Sequence, residues 1–459
     1  MLALAGFAMV AVFMILIMGK WLTPLVALTL IPIATALMLG TQPDEIGVMA
    51  LGGITALAPT GVMLMFAILY FGLMIDAGLF DPIIRRIVRL VDGDPMKVVI
   101  GSAVLAAFVS LDGDGSTTYM ITIAAMLPLY QRLGMNALNL TCVTMLASGV
   151  MNLTPWGGPL ARAASALHVD TADLFVPMLP TMVGGLVGVL GIAWHLGRKE
   201  RSRLGFRIGE HGVLEMADGA ALVRHDEALY SSDLPAITQS ETCEGDVDGL
   251  SFSRPALLPV NAAMTVLLMV AMIAGLLPIP LLFMIAFSVA LVINYPKLHD
   301  QRARLVAHSG NVISVVSIIF AAGVFTGVLN GTGMVTAMSD SFVLLIPPSL
   351  GPHLAPITAS ASLPFTFFIS NDAFYFGMLP VIAEAAGQFD VSKLELARAS
   401  LIGQPVHILS PLVPSTFLLV GLAGVDLGDH QRFTLKWAML ICVVMGLTAM
   451  LTGAFPFSA

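Results

Sequence analysis

Ser110-Leu-Asp-Gly-Asp-Gly-Ser-Thr-Thr118 sets two carboxylates, Asp112 and Asp114, inside a stretch that is otherwise uncharged on both sides. The flanks run over 98–111 and 115–131. A helix needs about 20 apolar residues to cross a bilayer, so neither flank spans comfortably. The pair therefore reads as a re-entrant hairpin over 98–131, with the acids at its buried tip. A charge at membrane depth costs at least roughly 2.5 kcal/mol and marks function by default. The plainer alternative is a solvent loop between two ordinary helices, and the short flanks argue against it. Gly113 and Gly115 let the backbone come close to a ligand. Ser116, Thr117 and Thr118 open the following helix, where free N–H groups favour an anion.

The rest of the chain supplies the membrane that this reading needs. Its 459 residues are 57% hydrophobic and 11% charged, with a mean hydropathy of +0.92. A soluble domain carries about 25% charged residues, so here the outside faces lipid. The net charge of −8 comes with no basic patch, and nucleic acid is not an expected partner. Cys142, Cys243 and Cys442 form no C-x-x-C pair, which leaves no sign of a disulfide framework or a zinc site. Residues 1–19 lack a basic leader and an A-x-A cleavage site followed by a polar mature segment, so they read as a retained first span.

Working outward, uncharged runs cover 2–19, 21–40, 46–75, 133–161 and 174–194. Pro59 and Gly61 are expected to break the third. A polar segment then occupies 198–254, and apolar runs resume over 255–296, 305–339, 347–369, 373–383, 399–425 and 437–459. Met126-Leu127-Pro128 recurs as Met378-Leu379-Pro380, an offset of 252, and Ala147-Ser148 and Pro159 recur at that same offset as Ala399-Ser400 and Pro411. The order and the shared offset indicate an internal repeat. Counting Lys and Arg with the N-terminus outside puts Arg85, Arg86, Arg89, Lys97 and Arg132 inside, along with Arg198, Lys199, Arg201 and Arg203. Five crossings plus one hairpin make an odd number, so the second half must run inverted. Lys393 and Arg398 then fall outside, against the rule. The domain reading is a first repeat over 1–200, a cytoplasmic polar linker over 201–254 and a second, inverted repeat over 255–459.

The second tip is Ser370-Asn371-Asp372, in a hairpin expected over 352–386, with Tyr375 just beyond. Ser, Asn and Asp are common helix caps, and a cap inside a broken membrane helix is also an anion site. Two helix breaks complete the set. Asn152-Leu-Thr-Pro-Trp-Gly-Gly-Pro159 cannot run as continuous helix. Its counterpart is Gln404-Pro-Val-His-Ile-Leu-Ser410-Pro411. Unwound backbone at membrane depth is tolerated where it lines protein or a polar cavity. Asn152, Gly157, Gly158, Gln404 and Ser410, with Ser116, Thr117, Thr118, Ser370 and Asn371, are accordingly the expected substrate-binding residues. His407 is either a satisfied core histidine or a ligand and proton carrier. Three more polar residues rank below these. Asp76 reads as an interfacial cap and Glu384 as an outer-surface acid. Arg162 either pairs with an acid or faces outward.

Leu111-Asp-Gly-Asp-Gly-Ser-Thr-Thr-Tyr-Met120, Pro155-Trp-Gly-Gly-Pro159, Phe368-Ile-Ser-Asn-Asp-Ala-Phe-Tyr-Phe-Gly377 and Phe71-Gly-Leu-Met-Ile-Asp-Ala-Gly-Leu-Phe80 closely resemble the citrate–divalent-metal:proton symporter family, CitMHS, within the ion-transporter superfamily. The resemblance runs nearly end to end and is weakest in the polar linker. It implies an all-α polytopic membrane protein of two inverted repeats, with re-entrant hairpins, broken helices and a scaffold beside an elevator-type transport domain. A homodimer in the cell's inner membrane is implied too. Related dicarboxylate carriers use Ser-Asn-Thr at both tips with sodium. Here Asp372 follows Ser370-Asn371 and the first tip is acidic, which argues against sodium with a free carboxylate.

The expected function is import of citrate as a divalent-metal complex, magnesium or another, in symport with protons and with no permanently bound cofactor. Asp112, Asp114 and Asp372 are the metal ligands. The same three acids and His407 couple protons. Three acids would repel a bare citrate trianion, and a bound divalent metal reverses that sign. Moving a single charge against 100 mV costs about 2.3 kcal/mol, so a complex with one net negative charge is also easier to carry. A proton- or sodium-coupled carrier of free di- or tricarboxylates is the alternative. A channel has no need of two inverted hairpins. An enzyme would need a catalytic set, and no H-E-x-x-H or G-x-S-x-G occurs.

Overall fold

Apolar runs in lipid must satisfy every backbone N–H and C=O internally, and helices do this within one segment. The computed structural model of the chain is accordingly helical. It describes residues 1–459 except Lys20, Asp92, Asp114, Leu345, 209–213 and 217–252. The first half runs α1 (Leu2–Met18), α2 (Pro24–Met38), α3 (Pro43–Asp76), α4 (Asp81–Val91), α5 (Pro95–Val109), α6 (Gly115–Arg132), α7 (Ala137–Met151), α8 (Gly158–Leu167) and α9 (Thr171–Arg203). The second runs α10 (Leu258–Ile273), α11 (Ile279–Asn294), α12 (Leu298–Gly331), α13 (Met334–Val343), α14 (Leu354–Phe368), α15 (Leu379–Gly387), α16 (Lys393–Ser400), α17 (Gln404–His407), α18 (Pro414–Ala423) and α19 (Leu427–Leu451). A two-stranded antiparallel ribbon, β1 (Phe206–Ile208) with β2 (Leu214–Met216), is the one departure from all-α among the described residues. Most of the expected linker, with all of its acids but Glu215, lies outside them.

The same sequence of helix types occurs twice. Two short apolar helices lead to one of 34 residues, α3 or α12. A short helix and a hairpin follow, then a helix broken midway, then a long closing helix. The packing is reciprocal as well: α2 lies on α12, and α11 lies on α3. Near the hairpins, α6 meets α18 of the other half, and α15 meets α8. Each half thus completes the other.

Charge-free runs mark the spans but not their ends. At 1.5 Å per residue a 34-residue helix is about 51 Å long, well beyond the roughly 30 Å hydrocarbon core. So α3, α9, α12 and α19 carry their terminal charges past the apolar run: α12 starts at Leu298 and α19 at Leu427. Pro59 does not break α3, which continues through it to Asp76. Six described helical segments are long and apolar enough to cross a membrane, and α1, α2, α7 and α11 are shorter. One of the six is Pro95–Asp112, the first arm of the hairpin expected over 98–131, which gains length because its helix starts at Pro95, before the charged Lys97.

The seam between the halves is built on glycine. A Cβ on Gly53 of α3 would stand 1.9 Å from the carbonyl oxygen of Gly323 and 2.8 Å from the Cα of Gly327, both on α12. Gly323 and Gly327 are four residues apart, the small-xxx-small spacing that lets membrane helices touch backbone to backbone. At the end of this seam Asp76 is no mere cap. It accepts from Arg304 Nη1 at 3.0 Å, and His308 Nε2 lies 2.7 Å from the same carboxylate.

Candidate functional site

The first hairpin is α5 and α6 joined by a 3₁₀ turn at Ser110–Asp112. Its tip turns at Gly113, whose φ of 79° is left-handed and open to glycine at little cost. Ser110 Oγ lies 3.1 Å from Thr118 Oγ1, pinning the two arms together. Asp112 is 8% exposed and Thr118 is fully buried, while Ser116 and Thr117 are half-buried. Asp114 lies outside the described residues.

Depth is set by the break in the neighbouring helix. Between α7 and α8 the chain unwinds over 152–157, close to the middle of that run. A Cβ on Gly157 would meet the Asn152 carbonyl oxygen at 2.4 Å, so the turn closes only with glycine there. Trp156, in the break, donates its indole Nε1–H to the Leu111 carbonyl at 2.8 Å. Its ring covers Gly113, where a Cβ would meet Trp156 Cδ1 at 2.8 Å. Phe71 and Phe283 pack on Trp156 at centroid distances of 5.2 and 5.1 Å. The first tip therefore stops level with the midpoint of a spanning helix, as a re-entrant tip must.

The second hairpin is built the same way. After Phe368 the backbone turns extended at Ile369 and re-enters helix at Asn371. Ser370 Oγ accepts from the Ala373 N–H at 3.2 Å, which is the capping role expected of it. The next turn, Ala373–Met378, is a π-helix, a widened turn common at functional sites and absent from the sequence reading. The second break, over 408–413, holds this hairpin near its tip. His407 Nδ1–H donates to the Thr366 carbonyl at 2.7 Å and Ser410 Oγ–H to the Phe367 carbonyl at 2.6 Å. Both side chains position the tip. For His407 this bond also leaves Nε2 as the nitrogen free of the ring hydrogen.

The four parts meet. Gly149 of α7 crosses Pro405 of α17, where a Cβ would find the Pro405 Cα at 2.9 Å. Gly115 of the first tip faces Ser415, at the start of α18. The second tip is reached from α8: Arg162 Nε donates to Asp372 Oδ1 at 2.6 Å, with side chains 21% and 12% exposed. The guanidinium lies back over Gly158, where a Cβ would meet Nη1 at 2.7 Å. Arg162 thus joins the site from below the rank its sequence position suggested. The available signal was its isolation, as the sole charge in a run from 133 to 169.

Two amide oxygens stand out. Asn371 Oδ1 and Gln404 Oε1 are buried with no hydrogen-bond donor among the described residues. Gln404 Nε2–H is fixed by the Tyr375 hydroxyl at 2.9 Å, and that hydroxyl donates to the Ser400 carbonyl at 3.3 Å, so the amide oxygen is held in place. Asn152 is half-buried at the C-terminal cap of α7. Glu384, by contrast, pairs with Lys393 at 3.4 Å beside a surface cleft of about 590 Å³ that contains no tip or break residue.

Comparison with known proteins bears on the family and on the fold. The profile of the citrate transporter family, CitMHS, matches residues 11–403. A protein of Bacillus subtilis (strain 168) named citrate transporter is 53% identical over 457 residues, covering 100% of both chains. The Mg(2+)/citrate complex secondary transporter of the same organism is 48% identical over 458 residues, again across 100% of both. Among solved structures, the YdaH transporter of Alcanivorax borkumensis superposes with a TM-score of 0.59 over 89% of each chain, at 15% identity. That last likeness is one of fold.

Proposed function

The chain belongs to the citrate transporter family, and from that premise we propose that it imports citrate as a complex with a divalent metal, in symport with protons. It is a multi-pass membrane transporter and not an enzyme. The observation that carries the finer reading is a pair of buried amide oxygens beside the acids of the tips. The amide oxygens of Asn371 and Gln404 are buried without a donor among the described residues, and Asp112 and Asp372, each 8% exposed, bring carboxylates to the same two tips. An oxygen acceptor stranded in a low-dielectric site costs free energy unless a donor or a cation reaches it. A hard divalent cation takes six or more oxygens, some of them from its co-ligand. A bare trianion would instead call for a surplus of donors. One relative is named as a carrier of the Mg(2+)/citrate complex, which supports the same choice.

In this reading Asp112, Asp114 and Asp372 are the carboxylates that ligate the metal. Ser116, Thr117, Thr118, Asn152, Ser370 and the turn at Gly157 and Gly158 bind citrate oxygens. The acids and His407 carry the protons that outweigh the complex's residual negative charge. The reading includes a homodimer of the inner membrane and an elevator motion, and the division of the helices into two groups supports the motion. The glycine seam of α3 and α12, with α2 and α11, forms one group of helices, and α5–α9 with α14–α19 form the other.

The test is uptake of labelled citrate into proteoliposomes. Citrate uptake should require a divalent metal, metal uptake should require citrate, and both should follow the proton gradient. Full citrate uptake in excess EDTA would overturn the reading in favour of a proton- or sodium-coupled carrier of free di- or tricarboxylates.

A further inference from the structure

We infer that the Arg162–Asp372 ion pair is an exchange lock that makes the carrier accept citrate and metal only together. The inference rests on the metal–citrate reading and adds a specificity-determining residue that the tip acids do not include. Its basis is the position of the pair. Asp372 belongs to the second hairpin tip and Arg162 to α8, in the other half of the chain. The 2.6 Å contact between them joins that tip to the helix that leaves the first break. Neither member is fully buried, at 21% and 12% exposed, so the pair borders the space between tip and break.

The argument is a balance of charges. With nothing bound, each charge is satisfied by the other. A metal ion alone would need Asp372, and taking it would leave the guanidinium without a counter-ion in a partly desolvated site. Citrate alone would need Arg162, the base nearest the tips, and taking it would strand Asp372 beside an anion. The complex satisfies both at once: a citrate carboxylate replaces Asp372 on Arg162, and the metal replaces Arg162 on Asp372. Arg suits the exchange because its planar fork matches a carboxylate as well from a ligand as from a side chain. Asn371, next to Asp372, offers the metal a second oxygen that has no donor among the described residues. Gly158 keeps the guanidinium room to turn from one partner to the other.

The experiment measures binding to purified protein by calorimetry and thermal shift, with magnesium alone, citrate in EDTA, and both. The unaltered protein should respond only to both. Arg162→Gln should release Asp372, so that magnesium alone now binds, while the complex weakens about ten- to hundredfold with the loss of a charge-assisted hydrogen bond. Asp372→Asn should give the mirror result, citrate binding in EDTA, and it carries the test if Arg162→Gln does not fold. Arg162→Lys keeps the charge without the fork and should retain the joint requirement at reduced affinity. If Arg162→Gln or Asp372→Asn folds and still requires both ligands with near-normal affinity, the exchange is wrong while the metal–citrate reading stands. If the unaltered protein binds citrate equally well in EDTA, both fail together.

Discussion

At the scale of the residue, the most informative groups are the polar ones placed at depth. Asp112 is buried in a tip made of glycine and small hydroxyl residues, where a carboxylate is costly and marks function by default. Replacing it with Asn keeps the shape and removes the charge. Asp112→Asn should lower citrate transport about ten- to hundredfold, the value of one hydrogen bond or ligand contact to a charged group. Amounts of protein in the membrane should be unchanged. Normal transport by both Asp112→Asn and Asp372→Asn would make these acids structural. Asp112, Ser370 and Asn371 were legible in the sequence because polar residues interrupting an apolar run stand out against it. Arg162 was not, because a lone base gives no clue to its partner, and its partner lies 210 residues away. Ser410 and His407 were legible as polar residues at a break, yet only their bonds to Phe367 and Thr366 reveal that they brace the hairpin.

At the scale of the element, glycine decides which helices touch. Gly53 meets Gly323 and Gly327 with no room for a methyl group. Gly53→Val would push one backbone off another, and overpacking of this kind costs about 1–3 kcal/mol. The midpoint of thermal unfolding in detergent should fall clearly. Gly52→Val, one residue along, meets open space within 4 Å and is the control that should leave the midpoint unchanged. Equal midpoints would mean that the seam is softer than the geometry says. Length did not mark the hairpin arms surely, since the first arm with its turn, Pro95–Asp112, is 18 residues and by length and composition alone could cross a membrane; its fold-back shows in the packing on α6 and α7. The helix breaks were legible from proline and glycine. Pro59 is the counter-example: it lies within α3, whose packing along α12 and α11 holds the helix continuous across it. A proline alone does not distinguish a kink from a stop, since neighbouring helices can re-satisfy the freed carbonyl.

At the scale of the whole molecule, the halves interlock: each hairpin packs against the broken helix of the other half as well as its own. An inverted pair of this kind should open its tips to opposite faces. Single cysteines at Thr117 and Ser370, placed in reconstituted protein, should react with an impermeant thiol reagent from opposite sides, and citrate with metal should protect both. Access to both from one side only, under every condition, would contradict the inversion. The rule-breaking charge of Arg398 also finds its reason at this scale. It donates to the Asp173 carbonyl at 2.7 Å and the Ala454 carbonyl at 3.0 Å, tying the start of α9 to the end of α19. The Asp173 carbonyl is available because Pro177, four residues on, has no N–H to give it, so the place of Arg398 is set by this bonding and says little about the side of the membrane.

The sequence by itself determined that this chain lives in lipid, that its helix order is duplicated, and that two polar tips and two breaks interrupt it. Hydropathy, proline and buried charge act locally, and lipid penalises each polar exception wherever it falls. Which exceptions meet was decided only in three dimensions. Asp372 and Arg162, Trp156 and Leu111, Gly53 and Gly323 are brought together by the reciprocal packing of the two halves. No local pattern encodes such a pairing, because a contact between distant residues depends on how the intervening helices cross, and that is fixed by the fit of whole helix surfaces.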